Sequence, residues 1–201
     1  MQIKAIIFDI GEVLQIDPKG ERYEKFARAV GIDSKDFREF IASKGKYMAV
    51  GKISAKEFCM AVKEKFEITA PTEKIISAWK KVYMEEPLNL ELFELIKKLK
   101  NNYKIAALSD AHEASVESRR TEKFLSSFDE MIFSNEHGIA KPDKRIFEIT
   151  TKKIGLLPSE CVFIDDKETH VKAANTLGFH AILFRSNSQL IKELKELGVE
   201  F

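Results

Sequence analysis

Apolar runs in this chain repeatedly end on residues able to do chemistry: Asp9 after "IIF", Ser109-Asp110 after "AAL", Ser134 after "MIF", and Asp165-Asp166 after "VFI". Lys141 follows shortly after Ser134, directly before a proline. Two or three carboxylates can hold Mg²⁺, a hard ion that takes oxygen ligands. A lysine and a serine hydroxyl can neutralise and hydrogen-bond an oxyanion such as phosphate. A carboxylate beside phosphorus can also attack it as a nucleophile. Singly, each has a plainer use: an aspartate after a strand caps a helix, and a serine or lysine in a loop is a turn or solvated residue. The pair Asp165-Asp166 is more telling, because adjacent acids after a buried run repel each other unless a cation is near.

For these residues to meet, the runs before them must lie side by side. Segments 3–8, 103–109, 130–134, 161–165 and 180–184 are short, rich in β-branched or aromatic residues and without polar alternation, which predicts strands covered on both faces. Helical spacing fills the gaps, as in 90–100, 144–154, 168–177 and 188–197. Alternating strands and helices predict an α/β fold with a doubly wound parallel sheet. Ligands of such sheets bind at the carboxyl ends of the strands, where the polar residues fall.

From about 18 to 86 the alternation lapses. Four helical patterns occur there, near 20–30, 34–44, 54–66 and 72–84, with a capping box at Ser54–Glu57 and Pro87 at the close. The expected organisation is an α/β catalytic core, 1–16 and 87–201, with a helical cap, 17–86, inserted after the first strand and lying over the strand ends.

The bulk properties narrow the partners. With 201 residues, 44% hydrophobic, the chain can bury a full core, and a formal net charge of +1 argues against nucleic acid or an anionic membrane as partner. No apolar run approaches the roughly 20 residues of a membrane span, and no leader segment is expected. Cys59 and Cys161 lie in apolar segments and read as small buried hydrophobes of a reducing compartment. The expectation is a soluble cytoplasmic protein, monomer or homodimer, acting on a small molecule.

Taken together the segments "IIFDIGEVL", "IAALSDA", "GIAKPDKRIF" and "VFIDDKETHVKAANTLG" resemble, in order, the motifs of the haloacid dehalogenase-like (HAD) superfamily. The resemblance is narrower to its capped phosphatases and to the branch containing α-D-glucose-1-phosphate phosphatase, which similarly has glycine two residues after the nucleophile and a "G-x-I-S" turn like Gly51–Ser54. It implies a Mg²⁺-dependent hydrolase of small phosphomonoesters, a sugar phosphate among the candidates. Asp9 would form an aspartyl-phosphate. Asp9, the Gly11 carbonyl and Asp166 would ligate Mg²⁺, with Asp165 supporting the metal or its shell. Ser109 and the Asp110 backbone would bind phosphoryl oxygens, and Lys141 would balance charge.

The chain departs from that pattern where most such phosphatases carry an aspartate, the general acid for the leaving group; here stands Gly11. Asp110 and His170 also replace the more usual asparagines. General acid–base catalysis contributes about 10²–10⁴-fold, so the loss of that acid slows the reaction without abolishing it. Glu12, three residues from Asp9, is expected to be solvated or to act at one remove, because odd spacing in an extended chain puts side chains on opposite faces. His112 is a candidate substrate contact, Arg119 and Arg120 are expected to be solvated, and Arg22, Tyr23, Lys46, Tyr47 and Trp79 are candidate cap residues, Tyr23 and Trp79 more as packing. Two other readings stay open: a metal-independent haloacid dehalogenase, against which the acidic pair argues, and a catalytically silent phosphate-binding regulatory domain.

Overall fold

The computed structural model describes residues 2–17 and 20–201. Met1, Pro18 and Lys19, the last two inside the expected insertion, lie outside the described residues. Five parallel strands, β1 (Ala5–Phe8), β2 (Lys104–Ser109), β3 (Glu130–Phe133), β4 (Cys161–Asp165) and β5 (His180–Leu183), form one sheet in the order β3-β2-β1-β4-β5. β1 is central, and Ile7 pairs in register with Ala106 on one side and Phe163 on the other.

The uninterrupted apolar runs have a direct cause. Successive side chains on a strand point to opposite faces, and both faces here are covered. Ile6 and Phe8 join one cluster with Leu92, Leu95, Ile96 and Leu99 of α5 (Leu90–Leu99) and with Leu190 and Leu194 of α10 (Asn187–Glu196). Ala5 and Ile7 join the other with Ile146, Phe147 and Ile154 of α8 (Lys144–Ile154) and Ala174 of α9 (Glu168–Thr176).

Between β1 and α5 come α1 (Arg22–Val30), α2 (Ser34–Ala49), α3 (Ala55–Lys65) and α4 (Thr72–Met84), around an apolar cluster of their own. Trp79, fully buried, is its centre, with Phe26, Phe58 and Phe37 ring centroids 4.9, 5.2 and 5.9 Å away. Asp33 caps α2, and the Ser54–Glu57 capping box starts α3. α2 runs to Ala49, past the 34–44 read from the sequence, because Met48 still faces the cluster. Helix α6 (Glu113–Arg120) follows β2, and Ala114 on it closes the same cluster; a short helical turn, α7 (Ser134–His137), follows β3.

The chain passes between the two regions twice, and the passages are tied together. Ile16 N–H donates to Pro87 O (3.0 Å) and Asn89 N–H to Leu14 O (2.8 Å). Elsewhere Ser134 Oγ donates to Ala49 O (2.5 Å) and accepts from Ala111 N–H (3.0 Å). Ser134 was expected among the polar residues of the crevice; it is instead a buried clasp between α2 and the strand ends. Gly51, in the left-handed region at φ 67°, sits against the same place, where a β-carbon would stand 2.5 Å from the Asn135 carbonyl oxygen.

Among the described residues no helix is long and apolar enough to cross a membrane. Both cysteines are buried and free, and burial pushes each thiol up to about 12, which leaves them unreactive.

Candidate active site

Asp9 directly follows β1, its backbone N–H donating to Ile164 O (2.8 Å). Its carboxylate is 7% exposed; Oδ1 accepts from Ile10 N–H (2.7 Å) and Oδ2 stands 3.1 Å from Lys141 Nζ. Lys141 reaches in from the loop before α8. Its ammonium is fully buried, 2.6 Å from Asp165 Oδ2 and donating to Leu108 O at 3.1 Å. Burial alone would lower the lysine's pKa; Asp9 and Asp165, with Asp110, overcome that and raise it, so the group stays charged. Its backbone N–H donates to Asp110 Oδ1 (2.9 Å), which joins the end of β2 to the same loop.

Asp165, at the end of β4, is saturated. Besides Lys141, its Oδ1 accepts from Lys167 N–H (2.8 Å), and His170 Nδ1 lies 3.0 Å from both oxygens. Burial pushes this carboxyl up, but His170 and Lys141 outweigh it and hold it below its ordinary value. His170 on α9, whose presence in place of asparagine had no account in the sequence, thus grips Asp165. Asp166 is held differently. It is half-buried, and burial followed by repulsion from Asp9 and Asp165 raises its pKa. Asp9, Asp165 and Asp166 each offer an oxygen, all within 4.8 Å of one another. Three carboxylates gathered this closely, with Asp9 and Asp166 facing the cleft, match a divalent cation of the Mg²⁺ kind.

A cleft of about 330 Å³ opens above, bordered by Asp9, Gly11, Asp110, His112 and Asp166 at the strand ends, and by Arg22, Tyr23, Lys46, Tyr83 and Arg119. That volume suits a small metabolite. Of the candidate residues, Ser109, Lys141 and Asp165 lie beneath it, each 5% exposed or less. Tyr47 does not border it: its ring is 41% exposed and packs with Lys46. Trp79 serves as packing, and Tyr23 does both, stacking on Trp79 (6.3 Å) while bordering the cleft.

His112 caps α6, its Nδ1 accepting from Ser115 N–H (3.3 Å). The ring stacks on Trp79 (5.3 Å) and meets Tyr83 edge-on (4.8 Å). Burial, then the charges of Arg119 and Arg22, drive its pKa down to about 3, so it is neutral with the proton on Nε2. That Nε2 is buried with no hydrogen-bond partner among the described residues, a donor offered to whatever enters the cleft.

Two expectations need correcting. Arg119 is not solvated but 4% exposed, its Nε donating to Gln15 Oε1 at 2.7 Å. Helix α6 packs this face against α4 and the inserted cluster, and the small residues Ala114, Ser115 and Ser118 at three- and four-residue spacing were the trace of that burial. Arg120, by contrast, is exposed and pairs with Glu136. Glu12 is not on an extended strand. The chain turns at Ile10–Gln15, Leu14 N–H donating to Ile10 O (2.9 Å), and Glu12 itself has φ 58°. Its carboxylate points to Arg22 Nη2 (3.2 Å) and Asp17 N–H (3.2 Å). Arg22 also pairs with the buried Glu86, which stands 3.9 Å from Arg119.

Known proteins are similar over different lengths. D-ribitol-5-phosphate phosphatase of Bacteroides thetaiotaomicron is 25% identical over 96% of this chain and 97% of its own. A HAD family enzyme of that organism, solved in complex with magnesium and inorganic phosphate, superposes with TM-score 0.78 at 25% identity, covering 94% of this chain and 98% of that one. Mouse acyl-CoA dehydrogenase family member 10 is 40% identical over 70 residues, 35% of this chain but 6% of that protein. Several such relatives are much longer, and this chain matches a quarter of their length or less. The family model for haloacid dehalogenase-like hydrolases matches residues 3–178, and the chain belongs to that family.

Proposed function

We propose that the protein is a Mg²⁺-dependent phosphatase of small phosphorylated metabolites, sugar phosphates foremost, working through an aspartyl-phosphate at Asp9. One observation carries the reading: a buried carboxylate bordering the cleft, Asp9, stands 3.1 Å from a buried, charged lysine within a three-carboxylate cluster that opens on a metabolite-sized cleft. The full-length likeness to D-ribitol-5-phosphate phosphatase supports the substrate class.

Asp9 Oδ would attack phosphorus, and Lys141 would offset the charge that gathers as phosphate arrives. Ser109 and the backbone N–H of Asp110 would bind phosphoryl oxygens. His112 Nε2–H would donate to a substrate oxygen, selecting an acceptor there and rejecting an apolar group. Asp9, Asp166 and the Gly11 carbonyl would hold Mg²⁺, which when bound neutralises the carboxylates and polarises the phosphoryl group. Asp165, its oxygens already engaged, would orient Lys141 rather than bind the ion directly. The inserted helices, 17–86, would act as a cap over the site.

Three carboxylates within 4.8 Å of one another fit a metal-free dehalogenase poorly, since there only Lys141 would offset their charge. Release of inorganic phosphate from an aryl phosphate and from a panel of sugar phosphates, with Mg²⁺ and with chelator, tests the reading, with Asp9→Asn as control. Activity that needs Mg²⁺ and disappears in Asp9→Asn is expected. Wild-type rates equal to that control would sink it.

A further inference from the structure

An alkoxide leaving phosphorus carries negative charge that a proton or a fixed cation must meet. In-line displacement puts the leaving oxygen on the side of phosphorus away from the attacking Asp9. That side is the cleft, not the buried layer of Lys141. Lys46 and Tyr23 border the cleft from α2 and α1, but the groups nearest Gly11 are poor proton donors. Gly11 has no side chain. Glu12 is turned to Arg22 and the Asp17 amide. His112 is neutral and holds its remaining proton firmly, and burial pushes the Tyr83 hydroxyl well above its ordinary range. Asp110, directly after β2, has Oδ1 taken by the Lys141 amide, while burial raises its pKa.

A cation does stand there. Arg119 borders the cleft together with Asp9 and Gly11. Gln15 holds its Nε at 2.7 Å, which aims the fork. Nη2 is 3.9 Å from Glu86 Oε2, too far for a hydrogen bond, and Glu86 is shared with Arg22. The same Nη2 is 3.9 Å from the point where a β-carbon on Gly11 would stand. The guanidinium therefore flanks the space above Gly11 with donors to spare, and its charge is felt at Asp9.

We infer that Arg119 is a catalytic residue of this site, meeting the leaving oxygen as an anion at the position that Gly11 leaves without a side-chain acid. The inference rests on the phosphatase reading above. Asp9 Oδ bonds to phosphorus as the bond from phosphorus to the ester oxygen breaks, and that electron pair goes to the ester oxygen. The guanidinium holds the alkoxide until it takes a proton from solvent water. The hydroxide so formed attacks the aspartyl-phosphate, releasing hydrogen phosphate and restoring the Asp9 carboxylate.

The experiment compares wild type, Arg119→Lys and Arg119→Met, with Mg²⁺, on phosphate monoesters from 4-nitrophenyl to simple alkyl leaving groups. Arg119→Met is expected to lose about 100-fold more kcat on alkyl than on aryl esters, and Arg119→Lys to recover part of the difference. Gln15→Met leaves the arginine but removes the bond that aims it, and reads the same ratio with a smaller change should Met at 119 prevent folding. Equal losses on all leaving groups, or a raised KM with kcat kept, would overturn the inference. A wild type inactive on every ester would instead overturn the phosphatase reading, so the two failures are separable.

Discussion

His170 places its Nδ1 3.0 Å from both carboxylate oxygens of Asp165. Asp165 in turn holds Lys141 at 2.6 Å, and Lys141 stands 3.1 Å from Asp9. A ring on α9 thus sets the position of an ammonium that must face Asp9. Partners at one remove from a metal or nucleophile typically matter 10–100-fold. His170→Ala is expected to lower kcat about 10-fold or more and to raise the Mg²⁺ concentration for half-maximal activity. His170→Asn, which can still donate to Asp165, should recover part of both. Unaltered Mg²⁺ titrations in His170→Ala would show that Asp165 is held well enough by Lys141 and the Lys167 amide.

The burial of His112 makes stability depend on pH. Folded, its pKa is about 3, because burial and then Arg119 and Arg22 oppose protonation, with Trp79 and Tyr83 packed on the ring. Unfolded, the ring titrates near 6.5. The unfolded chain therefore binds the proton more readily, and stability present above pH 6.5 is lost as the pH falls toward 3, at about 1.4 kcal/mol per unit. Urea unfolding at several pH values checks this. His112→Gln should flatten the slope between pH 6.5 and 4, whatever it does to stability at neutral pH.

Two glycines of the inserted segment should respond oppositely to alanine. Gly45 lies within α2 with nothing near the position of a β-carbon, so Gly45→Ala should stabilise by about 1 kcal/mol through helix propensity. At Gly51 the φ of 67° and the 2.5 Å approach to the Asn135 carbonyl oxygen forbid the methyl. Gly51→Ala should destabilise by about 1–3 kcal/mol and, by pushing the helices from the strand ends, raise KM. Thermal unfolding and steady-state kinetics of both variants decide; a neutral Gly51→Ala would mean that the α2–α7 contact gives way easily.

The α/β class, the five strands and the four inserted helices were legible because period and composition are local properties. An unbroken apolar run such as "AIIF" has few uses besides a strand covered on both faces, as β1 is. Asp9, Lys141, Asp165 and Asp166 were legible by their order at strand ends, and the parallel sheet brings them together. The surroundings of that cluster were not. Glu12 is solvent-exposed and paired with Arg22, in line with the expectation, but the geometry behind it was not legible, because nothing in "DIGEVL" announces that the chain turns directly after Asp9. Ser134 looks like any serine ending a strand, and becomes a clasp because the carbonyl of Ala49, 85 residues away, arrives beside it. Arg119 is charged, on a short helix and next to a second arginine, all marks of a solvated face. It is buried because α4 packs over α6, while Gln15 and Glu86, from the two passages between the regions, supply its partners. The sequence by itself determined the scaffold and the carboxylates at its strand ends, because local spacing encodes both. Which cation faces the vacancy at Gly11 was decided by tertiary packing, because burial and charge pairing depend on segments distant along the chain.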